Sequence, residues 1–226
     1  MIHIVKTVRR PDKTIVDSFA KIAPATVHEA MGRTGAMVFE IKPIYSGMRV
    51  CGPAITAECH PGDNSMLHMA LAVAQPGDVI VATMGRVDMG SWGEVLSTCA
   101  MARGIAGLIV DGMVRDGLGI KELGFPVFAR GLCMRGTVKE TVGLVNHQIS
   151  CGGMIVNPGD LVLGDDDGVV VISRENATQD LIQKCEEKEA HEREMMKRFR
   201  AELGLTTADL LGLRDRFRAK GMREEA

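Results

Sequence analysis

No stretch of this 226-residue chain approaches the roughly 20 consecutive apolar residues of a membrane-spanning helix. The start, Met1-Ile2-His3-Ile4-Val5-Lys6, lacks the charged lead, long apolar run and small-residue cleavage site of a secretory signal; a cytoplasmic location is expected. The six cysteines, at 51, 59, 99, 133, 151 and 185, include no CxxC pair, which argues against a zinc cluster or a disulfide framework. Reduced, buried thiols are the expectation. No block of like charge precedes the C-terminal region, and the net charge is −2, so there is no electrostatic footprint for nucleic acid or an anionic membrane. None of the ten lysines lies within an apolar strand segment, where a desolvated amine would suit Schiff-base chemistry.

What is present is an ordinary globular composition, 46% apolar and 25% charged, enough for one large domain with an appendage. Residues 1–174 read as a single α/β domain. Residues 175–226 are strongly charged with a narrow apolar stripe (Leu181, Ile182, Cys185, Met195, Met196, Phe199), which predicts a long helix able to meet another subunit, followed by a helix over 207–220.

Early in the chain, residues 11–32 predict two short helices, the second opening at Thr26 with Glu29 three residues on, a capping-box spacing. Residues 47–59 predict strands broken at Gly52-Pro53. His60-Pro61-Gly62-Asp63-Asn64 reads as a loop that caps the helix 65–74, whose His68 is read as a satisfied core or interface residue; His28 is likewise read as structural. Pro76-Gly77-Asp78 and Pro158-Gly159-Asp160 each set a turn ahead of an apolar strand. The second strand continues through Asp165-Asp166-Asp167-Gly168 into 169–172 as a hairpin, and that acidic run lacks the ligand spacing of an EF-hand loop.

The centre of the chain carries the chemistry. Ser91 with Glu94 three residues later reads as a capping box opening a helix that Arg103-Gly104 closes. Free N–H groups and the positive dipole end at residues 93–96 would hold a carboxylate or phosphate. The run from Ile105 to Val110 has no polar alternation, as expected of a central strand covered on both faces. Beyond it, Arg115-Asp116 lies on a loop at the strand's carboxyl end, where α/β sheets keep ligands. An aspartate suits Mg²⁺ or Mn²⁺ and an arginine offers a donor fork to a carboxylate or developing enolate; a turn-fixing surface pair is the plain alternative.

The runs Gly93-Glu94-Val95-Leu96, Ala102 to Gly112, Val114-Arg115-Asp116 and Gly124-Phe125-Pro126-Val127-Phe128 resemble the family of 4-carboxy-4-hydroxy-2-oxoadipate and 4-hydroxy-4-methyl-2-oxoglutarate aldolases and of the regulator of ribonuclease E activity. Glu94, twenty intervening residues and Arg115-Asp116 match its signature, and Thr26 to Gly32 and Gln75 to Val79 extend the likeness over nearly the whole chain. The resemblance implies a three-layer β/β/α swivelling-domain fold. It also implies a metal on Asp116, substrate on Arg115, a pyruvyl carboxylate on the amides of Gly93, Glu94, Val95 and Leu96, and catalytic roles for Arg115 and Glu94. An acidic residue at 94 points to the aldolase branch: class II cleavage, with Mg²⁺ or Mn²⁺, to pyruvate and oxaloacetate in aromatic acid degradation. The regulator branch, a non-enzymatic partner of ribonuclease E, is the second reading. Members are trimers or hexamers whose aldolase branch lends a glutamate to the neighbouring site, here Glu192 or Glu189. One departure stands out: many members have an acidic residue three after the aspartate, where this chain has Gly119, so another carboxylate, Glu122 for instance, would have to serve.

Overall fold

The computed structural model describes residues 1–224, in two compact units, Met1–Ile182 and a second beginning at Gln183. In chain order the first unit starts with β1 (His3–Ile4), α1 (Lys13–Phe19), α2 (Pro24–Ala30), β2 (Lys42–Pro43) and β3 (Val50–Glu58). It continues with α3 (Ser65–Val73), β4 (Val79–Thr83), α4 (Glu94–Ala102), β5 (Gly107–Asp111), β6 (Met113–Val114) and α5 (Gly117–Leu123). Then come β7 (Val127–Ala129), β8 (Gly131–Leu132), β9 (Leu144–Val145), β10 (Ile149–Cys151), β11 (Met154–Val156), β12 (Leu161–Asp165) and β13 (Gly168–Ile172).

The main sheet runs β1-β9-β3-β4-β5-β7-β2, and β3, β4, β5 and β7 are parallel neighbours. In β5, Leu108, Ile109 and Val110 are wholly buried, so the absence of alternation does mark a strand covered on both faces. It begins two residues later than the apolar run suggests, because Ile105 N–H closes α4 on Ala100 and Ala106 N–H goes to Asp78. Helix α3 and the β10–β11 hairpin both pack on β3 and β4.

Strand β3 is not broken at Gly52-Pro53; it changes partners there. Val50–Pro53 pairs antiparallel with β12, and Ala54–Glu58 pairs parallel with β4. Gly52 is needed because a Cβ would strike the Gly77 carbonyl. The two Pro-Gly-Asp turns are built alike: Asp78 accepts from Gln75 N–H at 2.7 Å and Asp160 from Asn157 N–H at 2.8 Å, with Gly77 and Gly159 at φ +88° and +86°. The β12–β13 hairpin forms as expected, and Asp166 in its turn accepts from Ser46 Oγ and Gly47 N–H.

The two capping boxes expected at Thr26 and at Ser91 do not form. Helix α2 begins at Pro24, which is preset for the first helical position, so Thr26 lies inside it and is buried. The cap of α4 is described below. The thiols are free, but not uniformly buried: Cys59 and Cys151 are buried, Cys51 and Cys133 half-buried and Cys99 exposed.

Helix α6 (Gln179–Ala201) runs into the second unit, where Glu189 pairs with Arg193 at 3.3 Å and Glu192 with Lys188 at 2.8 Å. The single helix expected over 207–220 is instead α7 (Thr207–Leu210) and α8 (Leu213–Arg218), separated at Gly212 with φ +60°. Thr206 and Asp209 form a true capping box on α7.

Candidate active site

The parallel strands point their carboxyl ends at the loops that follow β4 and β5, and those loops meet. Ser91 does not cap α4. Its N–H and Oγ both donate to the Met113 carbonyl, at 2.9 and 3.0 Å, which ties the loop 90–93 to the β6 edge. The N-cap is Gly93, extended at φ −149°, and the cap comes from elsewhere: Asp116 Oδ2 accepts from Glu94 N–H at 3.2 Å. A side chain at residue 93 would collide with that carboxylate oxygen. Asp116 itself adopts φ +59°, ψ 37° at the N-cap of α5, a left-handed conformation that aspartate tolerates better than most residues.

Four further contacts fix the loop. Trp92 is buried, donates from Nε1 to Ser97 Oγ at 2.7 Å and stacks on Phe125 with ring centroids 6.1 Å apart. The Trp92 carbonyl accepts from Arg115 N–H at 2.8 Å. The Ser91 carbonyl accepts from Asn64 Nδ2 at 2.8 Å. Arg115 Nε lies 3.5 Å from Asp116 Oδ2, and both side chains remain close to half exposed.

The result is a cleft of about 220 Å³ lined by Gly90 to Gly93, Val95, Leu96, Arg115, Asp116, Asn64, His68, Thr137 and Lys139. Val95 and Leu96 N–H, in the first turn of α4, have no carbonyl four residues back within the helix. With Arg115 and Lys139 they give one wall a positive character suited to a carboxylate. Asp116 is the acidic group on that wall.

Of the residues singled out from sequence, Gly93, Val95, Leu96, Arg115 and Asp116 thus share one cleft. Glu94 contributes its N–H to Asp116, but its side chain is turned onto α5, across Gly119. Glu122 is exposed on α5; the carboxylate that occupies the space over Gly119 belongs to Glu94.

Four lining residues carried no sequence motif: Asn64, His68, Thr137 and Lys139. The last two sit on a loop held by Asp63, a buried carboxylate that accepts from Ser65 N–H, Thr141 N–H and Thr141 Oγ1 at 2.7 Å each, and from Glu140 N–H. Burial alone would raise the Asp63 pKa; these hydrogen bonds outweigh it and hold the carboxyl well below the usual range. His68 is not the satisfied residue expected, since its Nε2 is buried without a partner among the described residues, as is Asn64 Oδ1. Burial and the nearby Lys139 charge push the His68 pKa down, against a smaller opposing effect of Asp63. His28 has the structural contact expected, Nδ1 to the Thr34 carbonyl at 2.9 Å.

Fold and cleft together define an α/β protein with a helix N-terminus beside an Arg-Asp pair in one cleft. The family model RraA-like (Aldolase/RraA) matches residues 22–171, and the chain belongs to that family. It is 37% identical over 176 residues to a Halalkalibacterium halodurans protein provisionally named 4-hydroxy-4-methyl-2-oxoglutarate aldolase, covering 77% of this chain and 83% of that one. It is 34% identical over 161 residues to an uncharacterized Methanocaldococcus jannaschii protein, covering 70% and 77%. Among solved structures, Streptomyces coelicolor RraAS2, described as an unusual member of the RNase ES inhibitor RraA family, superposes with TM-score 0.74 at 30% identity over 84% of this chain and all of that one. An uncharacterized Pseudomonas syringae protein gives TM-score 0.76 at 25% identity over 88% and 93%. The swivelling-type α/β fold with a C-terminal helix is therefore that of the family. Among the described residues no helix is long and apolar enough to cross a membrane.

Proposed function

We propose that this protein is a divalent-metal-dependent aldolase that cleaves 4-hydroxy-2-oxo acids, foremost 4-carboxy-4-hydroxy-2-oxoadipate to pyruvate and oxaloacetate. Cleavage of 4-hydroxy-4-methyl-2-oxoglutarate and slow decarboxylation of oxaloacetate would follow from the same enolate chemistry. The observation that carries this reading is the meeting of Arg115, Asp116 and the α4 N-terminus in one cleft.

The donor set suits Mg²⁺ or Mn²⁺, which bind through one or two carboxylates and otherwise keep water and substrate oxygens. Asp116 is half exposed on the cleft wall with only one oxygen, Oδ2, engaged by Glu94 N–H. Among the described residues no group of three or more His, Cys, Asp or Glu side chains converges; water and substrate oxygens would complete the coordination of an ion on Asp116. Held there, the ion would supply Lewis acidity at the 2-oxo group.

The chain's own residues do the rest. Val95 and Leu96 amides and the α4 dipole bind the C1 carboxylate. Arg115 places its guanidinium at the 2-oxo oxygen, where negative charge grows as the C3–C4 bond breaks, and so binds the enolate more tightly than the ketone. The C4 hydroxyl gives up its proton to a water oriented by Glu94, C4 becomes the carbonyl of oxaloacetate, and C3 of the enolate takes a proton to complete pyruvate. In an oligomer, a trimer or hexamer, Glu189 or Glu192 of a neighbouring subunit would add to the site. The family likeness supports action in the cytoplasm.

The test is pyruvate release from 4-carboxy-4-hydroxy-2-oxoadipate by the wild type and Arg115→Lys. Loss of the planar fork should lower kcat by about 10²–10³; undiminished turnover would overturn the role. The second reading, a non-enzymatic regulator that binds ribonuclease E, is favoured by the likeness to RraAS2. A stable complex with ribonuclease E, formed by protein that releases no pyruvate, would establish it instead.

A further inference from the structure

The Arg115 side chain passes two glycines, one at its base and one at its tip. A Cβ built on Gly90 would meet Arg115 Cβ at 2.7 Å and Cγ at 3.2 Å, and one on Gly136 would meet Arg115 Nη1 at 3.3 Å. Gly90 has a second reason to be glycine, because the Cys133 carbonyl also fills the space of its side chain. Gly136 has none. Among the described residues, Arg115 Nη1 is the one atom within 4 Å of its built Cβ. The residue is exposed, and its φ lies outside the left-handed region that favours glycine.

The chain on either side of Gly136 is pinned. The Arg135 carbonyl accepts from Gly90 N–H at 2.8 Å, and Val138 N–H donates to the Gly62 carbonyl at 3.0 Å. A side chain at 136 would therefore push the guanidinium aside rather than the loop. The guanidinium is otherwise lightly held: Nε lies 3.5 Å from Asp116 Oδ2, and Nη1 and Nη2 have no hydrogen-bond partner among the described residues.

We propose that Gly136 is a positioning residue for Arg115: the space left by its missing side chain, rather than a hydrogen bond, sets where the outer nitrogen of the fork sits. The fork is thereby directed while both outer nitrogens stay free for an oxyanion. The kinetic consequence rests on the aldolase reading; the placement rests on geometry alone. Alanine at 136 adds no backbone strain and removes chain entropy from the unfolded state, so it should displace Arg115 without loosening the fold.

The experiment compares wild type, Gly136→Ala and Gly136→Val, and repeats Gly136→Ala in an Arg115→Lys background. The lysine side chain ends short of Nη1, so alanine has nothing there to displace. The readouts are the melting temperature, kcat and KM for 4-carboxy-4-hydroxy-2-oxoadipate, and calorimetric binding of oxalate, a planar analogue of the pyruvate enolate, with Mg²⁺ present. Gly136→Ala should lower kcat and oxalate affinity by about three- to tenfold with KM nearly constant, and Gly136→Val by more. The melting temperature of Gly136→Ala should be unchanged or raised, and in the Arg115→Lys background the alanine should change neither kcat nor oxalate affinity. If the wild type cleaves nothing but oxalate affinity follows this pattern, the aldolase reading fails and the role of Gly136 stands. Four results would each overturn the proposal: wild-type kcat and oxalate affinity in Gly136→Ala, a marked fall in its melting temperature, an equal loss in the Arg115→Lys background, or a wild type that neither cleaves nor binds oxalate.

Discussion

Asp116 caps the helix that Gly93 opens: its Oδ2 accepts from Glu94 N–H at 3.2 Å, through space that a Cβ on Gly93 would fill. The proposed metal ligand and the proposed carboxylate-binding helix end are thus joined by one hydrogen bond between residues 22 apart in sequence.

Gly93→Ala isolates that junction. Gly93 is extended at φ −149°, which any residue adopts, so alanine adds no backbone strain and only the clash with Asp116 remains. The expected outcome is a loss of kcat by about 10²-fold with a melting temperature within a few degrees of wild type. Steady-state kinetics beside a thermal melt check it; intact activity would mean Asp116 need not sit where it does.

Ser97→Ala tests the support behind the loop. Ser97 is wholly buried and is the acceptor for Trp92 Nε1. Removing the hydroxyl leaves a buried indole N–H without a partner, which should cost about 1–3 kcal/mol. Urea unfolding measures this directly, and kcat should fall as the Trp92 loop loosens.

Asp63→Asn carries a pH signature. The Asp63 pKa lies below the ordinary value because its hydrogen bonds outweigh burial, so the carboxylate contributes stability that is complete above the unfolded pKa, about 3.9, and is lost as pH falls through the lower folded value. The wild type should exceed Asp63→Asn by about 3 kcal/mol at pH 7, keep that margin to about pH 5, and lose it progressively below about pH 4. Because Asp63 anchors the loop bearing Thr137 and Lys139, KM should rise in the variant. A margin that grows on acidification would contradict the assignment.

These predictions draw unevenly on what could be read beforehand. Strand β5 was legible because burial on both faces leaves no polar residue between Gly107 and Val110. The Arg115-Asp116 pair was legible because its position follows that strand's carboxyl end. The α4 cap was not: Ser91 and Glu94 have the spacing of a local box, but the Met113 carbonyl takes the Ser91 hydroxyl and a carboxylate from a distant loop takes the helix N–H. Strand β3 misled for a similar reason, since Gly52-Pro53 marks an exchange of partners rather than an end. The Thr137 and Lys139 wall is held by the buried Asp63 carboxylate and by backbone bonds of Val138 to Gly62 and Asn64, tertiary contacts across more than 70 residues with no periodic trace. At the C-terminal end the apolar spacing over 207–220 suggested one helix, and Gly212 in a left-handed conformation divides it.

The central claim is metal-assisted cleavage at Asp116. Metal-stripped protein should release almost no pyruvate from 4-carboxy-4-hydroxy-2-oxoadipate, and added Mg²⁺ should restore release in the wild type but not in Asp116→Ala. Equal release with and without the ion, or restoration in Asp116→Ala, would contradict the account.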